Sequence, residues 1–186
     1  MPKITGGSLE EHRTQTRQAV FDALVRLLDR MSFDAVRMAD LAAEAGVGRT
    51  AIYNHFRDKD AVIVGFATSE TSKYLERLNA VLADAGTPRE RLRAYVRHHI
   101  DTQGEQHFGF GPDIYGQLGP ESRLAIRDHV LEIEDVVRTI LVDGVATGDF
   151  REVDIDQVMR LVQACLQPRN VDADTVVDFV QRALLA

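Results

Sequence analysis

Apolar residues recur every three or four positions along almost the whole of this 186-residue chain, and no stretch alternates with period two for long. No Asn-Gly hairpin signal appears either. That periodicity restricts the chain to an all-α fold, and the spacing predicts about nine helices. Met1–Ser8 holds Pro2, Gly6 and Gly7 and reads as a loose arm. A first helix is expected from Leu9 to Met31, with Phe21, Leu24, Leu28 and Met31 inward. A second fits Met38–Ala45, stopped by Gly46, and a short third fits Arg49–Phe56. A fourth runs from Lys59 to about Asp84 and a fifth, with Pro88 in its first turn, to about Gln103. Gly104–Pro120 reads as irregular chain with one short helix near Asp113–Leu118. Three more follow, over Pro120–Thr147, Asp154–Leu166 and a last segment capped by Asp172 or Asp174.

Two of the late helices are apolar over a wide arc, the longer through Ile126, Val130, Ile133, Val137, Ile140, Leu141 and Gly144. Such a helix must be covered on several sides, and in a chain this short a second copy supplies part of the cover. The hydrophobic share of 45% and charged share of 27% are globular values. The first twenty residues carry no apolar run, no segment is long enough to span a bilayer, and the single Cys165 suits a reducing compartment. A cytoplasmic protein without membrane attachment is expected. The net charge of −7 argues at first against nucleic acid. Yet residues 1–60 carry nine Lys/Arg against nine Asp/Glu, whereas residues 61–186 carry thirteen against twenty. All the acidic excess lies in the second part, and a neutral first part binds phosphate if its cations share a face.

The stretch Asp34–Lys59 carries the most chemistry. It reads as helix, tight glycine turn, short helix, with Ala39, Ala42, Ala43 and Ala45 on the first helix and Ala51 on the second permitting a close crossing. That is a helix-turn-helix, whose second helix enters the major groove by its N-terminal end. Here the end is Arg49-Thr50. Arginine reads guanine, and threonine offers a hydroxyl or a methyl contact. Tyr53, Asn54 and His55 follow within reach of phosphate, although Tyr53 and His55 also suit packing between helices. Lys59, exposed by pattern at the start of a helix, is placed for a phosphate clamp. Ala42, Gly46, Val47, Ile52 and Phe56 build the motif and touch no base.

This stretch resembles the DNA-binding domain of the tetracycline-repressor-like (TetR) family. The resemblance rests on Phe33, Met38, Leu41, Ala42, Ala45, Gly46, Val47, Ile52, Tyr53, His55, Phe56, Lys59 and Asp60, and above all on the run Tyr53-Asn54-His55-Phe56 followed by Lys59. Three positions depart from the pattern. Ser32 replaces a frequent glycine, Arg37 a frequent threonine cap, and Gly48 a frequent serine cap. Arg37 loses the cap but can reach a phosphate. The resemblance implies a DNA-binding domain over 9–58 and a ligand-binding and dimerisation domain over 59–186, after an arm at 1–8. It implies a repressor that binds a palindromic double-stranded operator as a homodimer and is released by a small-molecule effector. The effector pocket would lie among helices four to seven, with Phe66, Tyr74, Tyr95, His99, Phe108, Phe110, Tyr115 and Ile126 as candidate lining for an amphipathic or aromatic compound. The dimer interface would use the long helix Ser122–Thr147 and the helix after Asp154.

Rival chemistry finds little support in the residues. His98, His99, His107, His129 and Cys165 lack metal-ligand spacing, and the adjacent His98 and His99 point about 100° apart on a helix. Glu132, Glu134 and Asp135 read as a solvated face, and Gly109 and Gly111 lack the strand and helix of a phosphate loop. No cofactor, metal or catalytic residue is expected. The alternative is a helical metal- or ligand-binding protein with no role on DNA.

Overall fold

The computed structural model describes residues 6–102, 112–168 and 170–185. Among them are nine α-helices: α1 (Gly6–Leu28), α2 (Met38–Glu44), α3 (Arg49–His55), α4 (Lys59–Ala83), α5 (Pro88–Asp101), α6 (Pro112–Gln117), α7 (Pro120–Thr147), α8 (Ile155–Cys165) and α9 (Ala173–Leu184). The all-α expectation holds. The first helix begins at Gly6, inside the segment read as a loose arm, and ends at Leu28, so Met31 lies beyond it and is exposed. Residues 104–111 of the segment read as irregular chain, with Phe108 and Phe110 among them, lie outside the described residues.

The chain forms two compact units, and the division falls within α4, after Thr68, and not at its start. The first unit holds the described residues of Met1–Thr68 and Phe110–Ile126. Its core gathers Val20, Phe21, Leu24 and Leu27 from α1, Leu41 and Ala42 from α2, Ile52 and Phe56 from α3 and its end, Val62, Ile63 and Phe66 from α4, and Leu118 after α6. The rings of Phe21 and Phe56 lie 5.6 Å apart and those of Phe21 and Phe66 5.8 Å apart, both within the aromatic-pair range. Glu44, at the end of α2, ties that helix to α1. It accepts from Arg26 Nε at 2.7 Å and from an Arg30 guanidinium nitrogen at 2.6 Å. These hydrogen bonds, Arg26 first, hold its carboxyl below the ordinary glutamate value.

The second unit holds the described residues of Ser69–Gly109 and Arg127–Ala186. Its core is built from Tyr74 and Leu78 of α4, Leu92, Tyr95 and Val96 of α5, Val137, Ile140 and Leu141 of α7, Met159 and Val162 of α8, and Val176, Val177, Val180 and Leu184 of α9. Helix α9 packs on α5 and α8. Val130, on the wide apolar arc of α7, is 49% exposed. Gln181 is buried instead, because its Nε2 donates to Arg89 O at 2.9 Å. After α7 the chain turns at Gly148, whose φ of 79° favours a residue without Cβ. Phe150 then seats its ring over Gly144, where a Cβ would collide with it. An isolated antiparallel bridge joins Phe150 to Leu185.

Helix starts follow the side chains. Thr87 Oγ1 accepts from Glu90 N at 3.2 Å, while Glu90 returns a carboxylate to Thr87 N at 3.0 Å and Gly86 N at 2.9 Å, with Pro88 in the first turn of α5. Asp154 caps α8 through Gln157 N at 3.1 Å, and Asp172, the first of the two expected candidates, caps α9 through Thr175 N at 2.9 Å.

Candidate nucleic-acid interface

The reading element is built from α2, the turn Ala45–Gly48, and α3. Gly46 has φ of 68°, the left-handed region that lets the chain reverse after α2. Val47 N then donates to Ala42 O at 3.0 Å and closes the turn. Of the alanines expected at the helix crossing, Ala42 is buried and Ala45 and Ala51 are half-buried, whereas Ala39 and Ala43 are exposed. They lie on the outer face of α2, so the crossing uses only one side of the alanine set.

Helix α3 buries Ile52, and Phe56 just after it, and turns Arg49, Thr50, Tyr53 and Asn54 outward. Those four share a face by the helical period, since positions one, four and five apart cluster on one side. Tyr53 is 47% exposed and does not belong to the buried core. Gly48 caps α3 without a side-chain bond. Arg37 precedes α2 with an exposed side chain. The missing threonine cap is offset by Asp40, whose carboxylate accepts from Arg37 N at 3.0 Å.

His55 and Lys59 sit differently from the outward four. Lys59 is half-buried, not exposed. Its Nζ donates to Phe33 O at 3.0 Å and Asp34 O at 3.2 Å and stands 4.5 Å from the centre of the Phe33 ring. It braces the start of α4 against the link between α1 and α2. His55 is half-buried beside Phe56, ring centres 6.4 Å apart. Burial first, then the positive charges of Arg13, Arg17 and His12, hold its imidazole below the ordinary histidine value.

Two further residues complete this region, Arg17, which the sequence reading passes over, and Asp60, which it names only as part of the family pattern. Arg17 stacks its guanidinium over Phe56 at 4.8 Å and over Phe21 at 5.6 Å. Asp60 accepts from Gly119 N at 2.9 Å, a bond that spans 59 residues. The spacing of Arg13 and Arg17, four apart on α1, was the available signal for the first. The family pattern marks Asp60, but nothing local marks its partner Gly119.

The candidate effector residues divide between the two cores. Phe66 is buried in the first unit and Ile126 packs against that core, while Tyr115 on α6 is 40% exposed. Tyr74 and Tyr95 are buried in the second unit. There Tyr74 Oη lies 3.1 Å from His99 Nδ1, and Tyr95 stacks on His99 with ring centres 6.2 Å apart. Burial pushes the Tyr95 phenol up to about 12, raises that of Tyr74, and lowers His99. Among the described residues no three His, Cys, Asp or Glu gather as a metal site, and no helix is long and apolar enough to cross a membrane.

A helix-turn-helix with an outward polar reading face, in a chain that is otherwise helical, defines a DNA-binding transcriptional regulator. Residues 20–64 match the sequence pattern of "Bacterial regulatory proteins, tetR family", and residues 85–167 match "Tetracyclin repressor-like, C-terminal domain". The chain belongs to the TetR family. It is similar to the fatty acid metabolism regulator protein of Bacillus subtilis, 22% identical over 138 residues, which cover 72% of this chain and 70% of that protein. It is 33% identical over 86 residues to an HTH-type transcriptional repressor of Mycobacterium tuberculosis, covering 46% of this chain and 42% of the relative. Among solved structures, the TetR family transcriptional regulator PfmR of Thermus thermophilus superposes with a TM-score of 0.71 at 25% identity, covering 88% of this chain and 97% of that one. These relatives are regulators and not enzymes.

Proposed function

We propose that the protein is a cytoplasmic repressor that binds a palindromic operator as a homodimer and leaves it when a small molecule binds its C-terminal helices. The observation that carries this reading is the outward face of α3, with Arg49, Thr50, Tyr53 and Asn54 on one side and Ile52 buried on the other. Arg49 is assigned to a guanine in the major groove and Thr50 to a neighbouring base edge. Tyr53, Asn54 and His55 are assigned to phosphates, as is Arg37 at the start of α2. Lys59 keeps a phosphate role only through the one ammonium proton left after its two carbonyl bonds. Reading is assigned to 9–58 and effector binding with dimerisation to 59–186, a functional division that differs from the compact units, which part after Thr68.

Dimerisation is supported by large apolar side chains left in solvent on the second unit, Leu161 on α8 at 66% and Phe179 on α9 at 64% exposure foremost. A dimer of this kind presents two reading helices about one DNA turn apart, roughly 34–36 Å. Release requires an effector that binds the DNA-incompetent state more tightly than the competent one. The relative named for fatty acid metabolism makes a fatty acyl compound the first effector to try. The test of the whole reading is selection of bound sequences from random duplex DNA with the purified protein. A palindrome with two half-sites is the expected result. Recovery of no duplex at low salt refutes the reading.

A further inference from the structure

Arg13 and Arg17 lie four residues apart on α1 and so project from one side of it, one turn from each other. The position of that side is fixed by Arg17. Its guanidinium covers the Phe56 ring at 4.8 Å and rests against Gly65 of α4, where an added Cβ would come within 3.0 Å of both the guanidinium and Phe56. The close approach at Gly65 holds Arg17 beside the end of α3. Arg17 and His55 therefore line one open groove of about 420 Å³ within the first unit, together with Arg57, Ala61, Val64, Gly65, Thr68, Glu121 and Ser122 among others.

The charge balance of this edge is one-sided. Among the described residues neither Arg13 nor Arg17 has an ion pair or a hydrogen bond to an acceptor. The groups that face His55 are His12, Arg13 and Arg17 from α1 and Arg57 from the link into α4. The one carboxylate lining the groove, Glu121 at the start of α7, lies 3.6 Å from Arg57, which also meets Asp58 at 3.2 Å. The part of α4 that lines the groove, from Ala61 to Thr68, contributes no charge. Burial first, and then its positive neighbours on α1, shift this half-buried imidazole toward the neutral form in the free protein. A phosphate brought among the same groups reverses that: it satisfies both guanidinium groups and favours the charged imidazolium.

We propose that Arg13 and Arg17 of α1, with His55 of α3, form a second phosphate-binding edge that seats a phosphodiester of duplex DNA beside the reading helix, and that His55 takes up a proton when the seat is filled. The proposal rests on the operator reading above. It adds a contacting helix outside the helix-turn-helix and a pH dependence of operator affinity. The sign follows from linkage. The bound state holds one more proton than the free state, so affinity falls as pH rises through the window between the free and the bound titration of His55.

The experiment uses the full chain and the duplex recovered by random-sequence selection, with binding followed by fluorescence anisotropy across salt concentration and from pH 8 to pH 6. The wild type is expected to bind several-fold more tightly at pH 6 than at pH 8. His55→Gln is expected to flatten that dependence, and His12→Gln to leave it in place. Arg13→Gln is expected to weaken operator and unrelated duplex alike and to reduce the magnitude of the slope of log K against log salt by about 0.9, one phosphate contact. Arg17→Gln is expected to do the same. Because Arg17 also packs on Phe56, Arg13→Gln, whose side chain is exposed, decides the matter free of any folding defect. An unchanged salt slope in Arg13→Gln removes the seat. A wild-type affinity independent of pH removes the proton uptake. Both results leave specific DNA binding intact, whereas selection that returns no duplex removes the operator reading and the seat together.

Discussion

Lys59 stands at the position where the family pattern suggests a phosphate contact, yet its ammonium is already engaged by two carbonyls and the Phe33 ring. A charged donor in two hydrogen bonds and a ring contact contributes on the order of 2 kcal/mol when partly buried. Lys59→Met is therefore expected to lower the unfolding free energy by about 2 kcal/mol in urea titration. A lysine that served DNA alone would leave unfolding unchanged and only flatten the salt dependence of binding. Arg49 has no such structural duty, since it is exposed at the first turn of α3. Arg49→Ala is expected to leave stability alone and to weaken specific binding by about 1–3 kcal/mol if it pairs with guanine. A gel-shift series that shows equal affinity for the palindrome removes Arg49 from the base contacts. The outward placement of Arg49 and Thr50 was legible because Ile52 and Phe56 fix which side of a short helix is buried. The partners of Lys59 were not, because they are backbone atoms 25 and 26 residues away and carry no side-chain signature.

Helix starts and stops reward local reading, because the atoms that decide them lie within a turn. Gly46, Pro88, Asp172 and Gly148 each do in the structure what their chemistry suggests in the sequence. The start of α1 at Gly6 escaped because two glycines and a proline lower helix propensity there without forbidding a helix. The caps carry a pH dependence. Glu90 and Asp172 both have carboxyls held below their ordinary values, Glu90 chiefly by the Thr87 and Gly86 backbone N–H groups and Asp172 chiefly by that of Thr175. The folded state thus binds fewer protons than the unfolded one at mildly acid pH. Their contribution is complete above the unfolded values, near pH 4, and is lost as pH falls through the lower folded values. Glu90→Gln is expected to reduce the loss of stability between pH 5 and pH 3 relative to wild type; parallel acid profiles would count against the cap. The return of the chain after α7 depends on packing that no local pattern reports. Gly144 was read only as part of an apolar arc, whereas it is the floor under Phe150. Gly144→Ala is expected to destabilise the second unit by about 1–3 kcal/mol through overpacking, seen as a lower thermal midpoint. An unchanged or raised midpoint would mean that the ring moves aside at no cost.

At the scale of the molecule, the periodicity that identified the helices also isolates the residues that the chain does not bury itself. The inward stripes of α8 and α9 omit Leu161 and Phe179, and these are the two most exposed large apolar side chains of the second unit. A wide arc on α7 pointed to an external partner; of that arc Val130 is 49% exposed, and Leu131 and Val142, outside it, are close to half exposed as well. The family resemblance implied α7 and α8 as the interface, and the exposure of Phe179 makes α9 a further candidate, which the periodicity could not weigh because it reports burial within a helix and not which neighbour supplies it. Each large apolar side chain taken fully out of water contributes about 1.5–3 kcal/mol, so Leu161 and Phe179 from both copies together supply a substantial part of what a stable dimer needs. Leu161→Glu combined with Phe179→Glu is therefore expected to give a folded monomer in sedimentation velocity, because neither side chain belongs to the core of its own chain. The same variant is expected to lose affinity for a two-half-site duplex while retaining the weak, salt-sensitive binding of a single reading helix. Should the double variant sediment as a dimer, the partner covers the exposed face of α7 instead, and Val130→Glu with Val142→Glu becomes the variant that separates the copies.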